Sequence, residues 1–494
     1  MPIHFDNSYA RELPQACVSW QPQAAPAPRE LFWNEDLAQT LDAGFADWHL
    51  AQREAVFGAV ALPKGALPVA QAYAGHQFGG FSPQLGDGRA LLWGELIDRH
   101  GQRVDLAFKG SGRTPFARGG DGKAAVGPML REVLIGEALH AMGIPSTRAL
   151  AVVATGELVP RERALPGAIL TRVAHSHLRV GTFQYFAARG DESGLQRLLD
   201  YTVQRHRPAP ECFEQAQGDA ALALLKAVLQ RQARLVAQWM GVGFIHGVMN
   251  TDNMSLSGQS IDFGPCAFME VHDAATVYSS IDHHGRYAYG RQPAITQWNL
   301  ARLAEALLPV MQGSQEQRLE VATNVIESFS TVFDEAMALV WRRKLGWPES
   351  AQPSEVRGRA QEWQALLQAH QVDHTRGWRA LVEAAKGHVP GLLDQFGAGA
   401  AQAQQWLVRW QAQAKAAGWA IDVQTCKQAN PLVIPRNHLV EAALQAASDE
   451  GDLRPFESLL NAVRQPWSED PALRPYAQAA PPEVAASHRT FCGT

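Results

Sequence analysis

The 494-residue chain has no apolar run approaching the roughly 20 residues that a membrane-spanning helix needs; its longest patterned stretches are interrupted by Arg, Gln or Gly. No membrane span is expected. Excess positive charge is also missing: 44 Lys and Arg stand against 49 Asp and Glu, for a formal net charge of -5. No global field therefore recommends nucleic acid as a partner. The five cysteines, Cys17, Cys212, Cys266, Cys426 and Cys492, form no C-x-x-C pair. This argues against a cysteine zinc site and suits a reducing compartment. The opening MPIHFDNSYARELP lacks an apolar core preceded by positive charge, the mark of a secretory segment, and a cytoplasmic location is expected. There is no repeat at solenoid periods. His175, His177, His283 and His284 lack the Cys or carboxylate spacing of a zinc motif.

What is present is a composition 46% hydrophobic and 19% charged, enough for a substantial core divided among two or three units. QPQAAPAPRE, at positions 21 to 30, reads as an extended arm, with folded structure beginning just after it. Between about residues 68 and 110, glycine clusters alternate with the β-type runs ALLWGELI and VDLAFKG. These predict a small antiparallel sheet. PMLREVLIGEALHAMG has apolar residues at helical spacing and a stop at Gly143 and Pro145. A strand-like pair, RALAVVATGELV and GAILTRVA, follows, and then the chain turns mainly helical, ALALLKAVLQRQARLVAQWMG being the clearest amphipathic segment. Helices continue to the C-terminus, with Ala, Gln and Trp dominating from about residue 350.

The most informative segment is GFIHGVMNTDNMSLSGQSIDFGPCAF, residues 243 to 268. It predicts a loop, a short strand, a turn at Ser257-Gly258 and a second strand ending in Asp262-Phe263-Gly264. A hairpin of this kind brings Asn253 and Asp262 together, and such oxygen ligands suit Mg²⁺ or Mn²⁺ bridging nucleotide phosphates. Protein kinases use a His-x-Asp-x-x-x-x-Asn loop followed by Asp-Phe-Gly. His246 and Asn253 keep that separation, but Val248 stands where the catalytic Asp belongs. A carboxylate appears instead at Asp252. Upstream, Lys109 ends VDLAFKG and is followed by a helix carrying Glu132 and Glu137, either of which could be the lysine's partner. Gly86 and Gly88 allow close backbone approach to phosphate, although a glycine cluster by itself is more often a turn. Arg172 and Arg179 are seven residues apart and would share a face if LTRVAHSHLRVG were helical. They could grip phosphate or serve as salt bridges between lobes.

The blocks GHQFGGFSPQLGDGRA, FKGSGRTPFARGGDGKA, GIPSTRAL, HLRVGTFQYF, FIHGVMNTDNMSLSGQSIDFGP, HHGRYAYGRQPAITQWNL and NPLVIPRNHLVEAAL resemble the selenoprotein O family, also called YdiU proteins, from about residue 30 onward. The resemblance implies an α+β, protein-kinase-like two-lobed fold. Residues 1–60 would be an N-terminal extension, 61–185 the N-lobe with nucleotide-binding elements, 186–345 the helical C-lobe and 346–494 additional C-terminal helices. It also implies flipped ATP, with AMP transferred to Ser, Thr or Tyr hydroxyls of proteins and pyrophosphate released. Lys109, Arg172 and Arg179 would bind phosphates, with Gly86, Gly88, Arg89, Asp121, Gly122 and Glu132 completing the nucleotide site. Asp252 would be the proton acceptor, and Asn253 and Asp262 would hold Mg²⁺ or Mn²⁺.

The chain departs from the family pattern in GDGKAAVGPMLRE, where Lys123 replaces an Arg and Gly127-Pro128 alters the approach to the helix. Cys492 matches the family's C-terminal Cys or selenocysteine. VYSSIDHHGRY, however, lacks the second cysteine that some members carry, and Cys266 is not at that position. The resemblance thus raises a redox switch at Cys492 without supplying the partner cysteine. Two other readings compete with AMP transfer: an ordinary phosphotransferase using Asp252, and a non-catalytic nucleotide-binding scaffold.

Overall fold

The computed structural model describes residues 3–491, so Cys492 lies outside the described residues. The chain is mixed α and β, with one large sheet and many helices. Along the sheet the strand order is Cys17–Ser19, Val69–Gln71, Ala90–Ile97, Arg103–Lys109, Ala164–Ala174, Arg148–Pro160 and Arg29–Trp33, with Ala124–Ala125 also pairing to Ala164–Ala174. All of these pairings are antiparallel.

The sheet is wider than the one expected from residues 68 to 110, and folded structure starts well before residue 30. A helix at Ser8–Glu12 and the strand Cys17–Ser19 precede the Pro-rich arm, and Arg29–Trp33 follows as the opposite edge strand. The arm is extended, as its composition predicts, but it is not free. Gln23 N donates to Ser111 O (2.7 Å), Ala25 N to Gly58 O (2.8 Å) and Ala27 N to Thr155 O (3.0 Å). Its backbone donors are satisfied by neighbours distant in sequence, which local composition cannot reveal.

Strand alternation sets the two faces of the sheet. Phe108 stacks on Trp93 with centroids 5.1 Å apart, in a core shared with Phe45, Phe57 and Leu106. Lys109 opposes Leu170, and Ala107 opposes Arg172, so Lys109, Ala107 and Arg172 share the other face. The helix Val126–Ala141 packs on this second face and is in turn covered by Asn437–Gln445 and Arg454–Val463. Apolar residues occur nearly all round it, as suits a helix buried on both sides. Gly127 and Pro128 fall within its first turn, where proline is tolerated. A Cβ on Gly127 would meet Ser448 Oγ at 3.1 Å, so this departure lets the C-terminal helices approach closely.

The long helix Ala220–Val242 is capped by Asp219, which accepts from Leu222 N, and ends at Gly243 with φ 75°. This left-handed residue is a common helix stop. It delivers the chain to the short strand Phe244–Ile245, which pairs with Ala267–Phe268. Between these strands lies the segment carrying Asp252, Asn253 and Asp262.

Candidate active site

Lys109, at the end of a central strand, donates to Glu132 Oε1 (2.6 Å) on the buried helix and to Asp262 Oδ1 (2.6 Å). Arg172 closes the ring, reaching Glu132 Oε2 (2.8 Å) and Asp262 Oδ1 (2.6 Å). This settles the choice of lysine partner. Glu137 points elsewhere and pairs with Arg148 and Arg464. Burial works to raise the pKa of Asp262, but Arg172, then Lys109 and Arg179, outweigh it and hold the carboxylate well below its ordinary range. Glu132 is likewise lowered: Arg172 and Lys109 overcome its desolvation.

The segment from Asn253 to Asp262 is not the expected regular hairpin. Its backbone pairs outward, Ser255 with Arg179 and Ser260 with Ser146. Gly258, with φ 77°, supplies the predicted turn. Asp262 itself has φ 63°, an uncommon conformation for a non-glycine residue and one found at functional sites. Arg172 and Arg179 do not share a helix either. Arg172 belongs to the strand Ala164–Ala174, and Arg179 is the N-cap of the helix Val180–Ala187. β-branched neighbours in AILTRVA favour the strand, and the pairing with Arg103–Lys109 fixes it.

These groups meet in a cleft of about 370 Å³ lined by Gly88, Arg89, Lys109, Arg172, Arg179, Asp252, Asn253 and Asp262, among others. Arg179 lies over the Tyr73 ring at 4.3 Å, donates to Asp252 O (3.2 Å) and stands 3.9 Å from Asp87. Asp252 is buried. Its Oδ2 accepts from Gln77 Nε2 (3.2 Å), while Oδ1 has no hydrogen-bond partner among the described residues. Burial is the largest influence on this carboxyl and moves its pKa up to about 6, against the lowering effects of a backbone N–H and Arg179. Asp252 is therefore held ionised at neutral pH, with the unpartnered Oδ1 buried against Gly75, where an added Cβ would come within 2.9 Å of it. Val248, at the usual position of a kinase base, lines the same cleft and can accept nothing.

Gly86 and Gly88 serve the close packing of the following loop. A Cβ on Gly86 would meet Phe116 at 2.5 Å, and one on Gly88 would meet Phe116 O at 3.0 Å. Gly86, Asp121 and Gly122 are not among the cleft-lining residues. Asp121 accepts from Arg161 (2.8 Å), and Gly122 lies so near Gly112 that a Cβ would come within 2.2 Å of its carbonyl oxygen. Lys123 pairs with Glu157 at 2.6 Å. Tyr73, Gln77, Asp87, His177 and Asn250 also line the cleft, and sequence reasoning missed them. Asp87, placed between Gly86 and Gly88, was the most detectable, as a charge within a glycine turn.

Among the described residues no group of three or more His, Cys, Asp or Glu side chains could hold a metal ion by itself. Asn253 and Asp262 nonetheless suit a hard divalent ion that takes its remaining ligands from phosphate oxygens and water. Asn253 Nδ2 donates to Val248 O (3.0 Å), which fixes the amide. Both bonds to Asp262 fall on Oδ1, and its Oδ2 has no hydrogen bond among the described residues.

The buried lysine–glutamate pair, the cation cluster and the Asn–Asp oxygen donors meet around one cleft, an arrangement suited to a nucleotide-using transferase. The chain belongs to the protein adenylyltransferase SelO family, whose model matches residues 2–464. Curated relatives named protein nucleotidyltransferase YdiU include that of Chromobacterium violaceum, 53% identical over 98% of this chain and 100% of its own length. Others come from Cereibacter sphaeroides, 51% identical over 100% of both chains, and a Mycobacterium species, 50% identical over 100% of this chain and 99% of its own length.

Proposed function

We propose that the protein transfers AMP from ATP to Ser, Thr or Tyr hydroxyls of other proteins and releases pyrophosphate. The observation that carries this reading is the pairing of an unpartnered, buried Asp252 oxygen with a cleft whose kinase-base position is Val248. Family membership supplies the reaction class. In this reading the fold is kinase-like and two-lobed, with residues 61–185 and 186–345 forming the lobes, 1–60 an extension and 346–494 an added helical region.

Lys109, Arg172 and Arg179 would hold the β- and γ-phosphates of a flipped nucleotide. Their charge stabilises pyrophosphate as it leaves. Glu132 keeps Lys109 and Arg172 in register. Gly86, Gly88, Arg89, Asp121 and Gly122 shape the nucleotide site, the last two through the loop they hold. Asp252 takes the proton of the acceptor hydroxyl as its oxygen bonds to the α-phosphorus and the bond to the pyrophosphate oxygen breaks. Asn253 and Asp262 would hold Mg²⁺ or Mn²⁺, which supplies charge neutralisation at the phosphates. A cytoplasmic setting suits this chemistry, and no helix among the described residues is long and apolar enough to cross a membrane.

Product analysis tests the reading. With ATP and a protein acceptor, pyrophosphate should accumulate in step with modified protein. ADP in its place would favour the phosphotransferase alternative, and neither product the scaffold.

A further inference from the structure

The hairpin formed by Gly75–Gln77 and Gly80–Ser82 is fastened beside Asp252. His76 N donates to Thr251 Oγ1 (2.7 Å), Gln77 Nε2 to Asp252 Oδ2 (3.2 Å) and Phe78 N to Asn250 Oδ1 (3.0 Å). Its two-residue tip, Phe78-Gly79, has φ 51° and 90°. Tight hairpins of this type favour Asn, Asp or Gly at both places, so a phenylalanine in the first is held there at a cost of about 1–2 kcal/mol. Nor is its ring hidden in a core: Phe78 is 38% exposed and Phe81 44%.

Ile281 is also exposed, at 45%. Phe78 and Ile281 both line the cleft as well, making the apolar surface continuous with the candidate active site. Beside it lies Arg286, whose guanidinium sits 4.7 Å from the centre of the Trp298 ring and 5.8 Å from that of Tyr287. It would lie 3.7 Å from a Cβ on Gly79.

The charges around Arg286 are unbalanced. Asp282, four residues earlier, spends its carboxylate on the backbone N–H groups of Arg286 (2.9 Å) and Tyr287 (2.7 Å). The neighbouring Arg302 is already paired with Glu305 (2.6 Å). Arg286 makes no ion pair with a carboxylate among the described residues, and it is not among the residues lining the cleft. An anion meeting it would therefore lie outside the cleft, on the side of the Phe78-Gly79 hairpin tip.

We propose that Phe78, Phe81, Ile281 and Arg286 form the docking surface for the acceptor polypeptide and select hydroxyls flanked by acidic residues. The proposal rests on the acceptor being a protein hydroxyl. The exposed rings and Ile281 cover apolar atoms of an extended segment, and Arg286 pairs with a Glu or Asp adjacent to the acceptor. The planar guanidinium, held on Trp298, is suited to a carboxylate.

The test uses the full chain, ATP labelled on the α-phosphate and decapeptides with one central Ser, Thr or Tyr flanked by Glu or by Lys. Glu-flanked peptides should be modified roughly 2- to 5-fold faster at low peptide concentration, the value of one partly exposed ion pair. The ratio should shrink as salt is added. Arg286→Glu should invert the preference, while Arg286→Lys should keep its sign; the pair guards against a variant that merely misfolds. Phe81→Ser should raise KM for both peptides with little change in kcat. Equal rates for the two peptides, or a preference surviving in Arg286→Glu, would overturn the docking proposal and leave AMP transfer standing. Absence of α-label from every peptide and from the protein itself would instead remove the functional reading on which it depends.

Discussion

Replacing Asp252 with Asn should lower activity and raise stability at once. Burial raises this carboxyl to about 6, from an ordinary 3.8. A group that binds its proton more tightly when folded favours the folded state at low pH and loses that contribution as pH rises from 3.8 to 6. At pH 7.5 the ionised Asp252 therefore costs the fold up to ~3 kcal/mol, at 1.36 kcal/mol per unit. An Asn of nearly the same shape removes the buried charge. Denaturant midpoints at pH 7.5 should be higher for Asp252→Asn, with the gap closing near pH 4, where the native carboxyl is protonated. Activity should move the other way. Without a proton acceptor, transfer should fall by roughly 10²–10⁴-fold. The wild-type rate should rise tenfold per pH unit below about 6 and level off above it. A variant no more stable at pH 7.5, together with an unchanged rate, would refute both the burial and the role assigned to Asp252.

Other perturbations should separate the roles in the site. Gln77→Leu removes the hydrogen bond to Asp252 Oδ2 and should move the inflection of the pH–rate profile upward by roughly one unit. Asp262→Ala should abolish transfer, and neither added Mg²⁺ nor added Mn²⁺ should restore it. Chelation of the wild-type protein should likewise stop the reaction, but reversibly, as radiolabel transfer would show. Arg436 is buried and joins Glu270 and Asp373 at 2.6 Å each. Arg436→Ala strands two carboxylates and should cost about 3–5 kcal/mol in a denaturant titration.

Local patterns made part of this legible. The helix Val126–Ala141, the paired strands Arg148–Pro160 and Ala164–Ala174 and the spacing of Lys109 to Glu132 follow from periodicity and motif order. Asn253, Asp252 and Asp262 do gather at one cleft, but through outward pairing with Arg179 and Ser146 rather than through the hairpin that the sequence pattern predicts. What escaped depends on partners far away in sequence. The Pro-rich arm lies along the sheet because Ser111, Gly58 and Thr155 receive its N–H groups. Arg172 and Arg179 reach the cleft from a strand and a helix start, an arrangement set by strand register that a seven-residue spacing cannot distinguish from a helix. Gln77 and Asn250 carry no motif of their own and matter only because the Gly75–Ser82 hairpin folds over the loop before Asp252. The choice between Glu132 and Glu137 required the position of Arg148 and Arg464, which capture the second.

The central claim is tested most directly by incubating the full chain, a divalent metal and a protein acceptor with ATP labelled separately on the α- and γ-phosphates. AMP transfer predicts α-label on the acceptor and none from the γ-position. Retention of γ-label without α-label would make the protein a phosphotransferase and contradict the account.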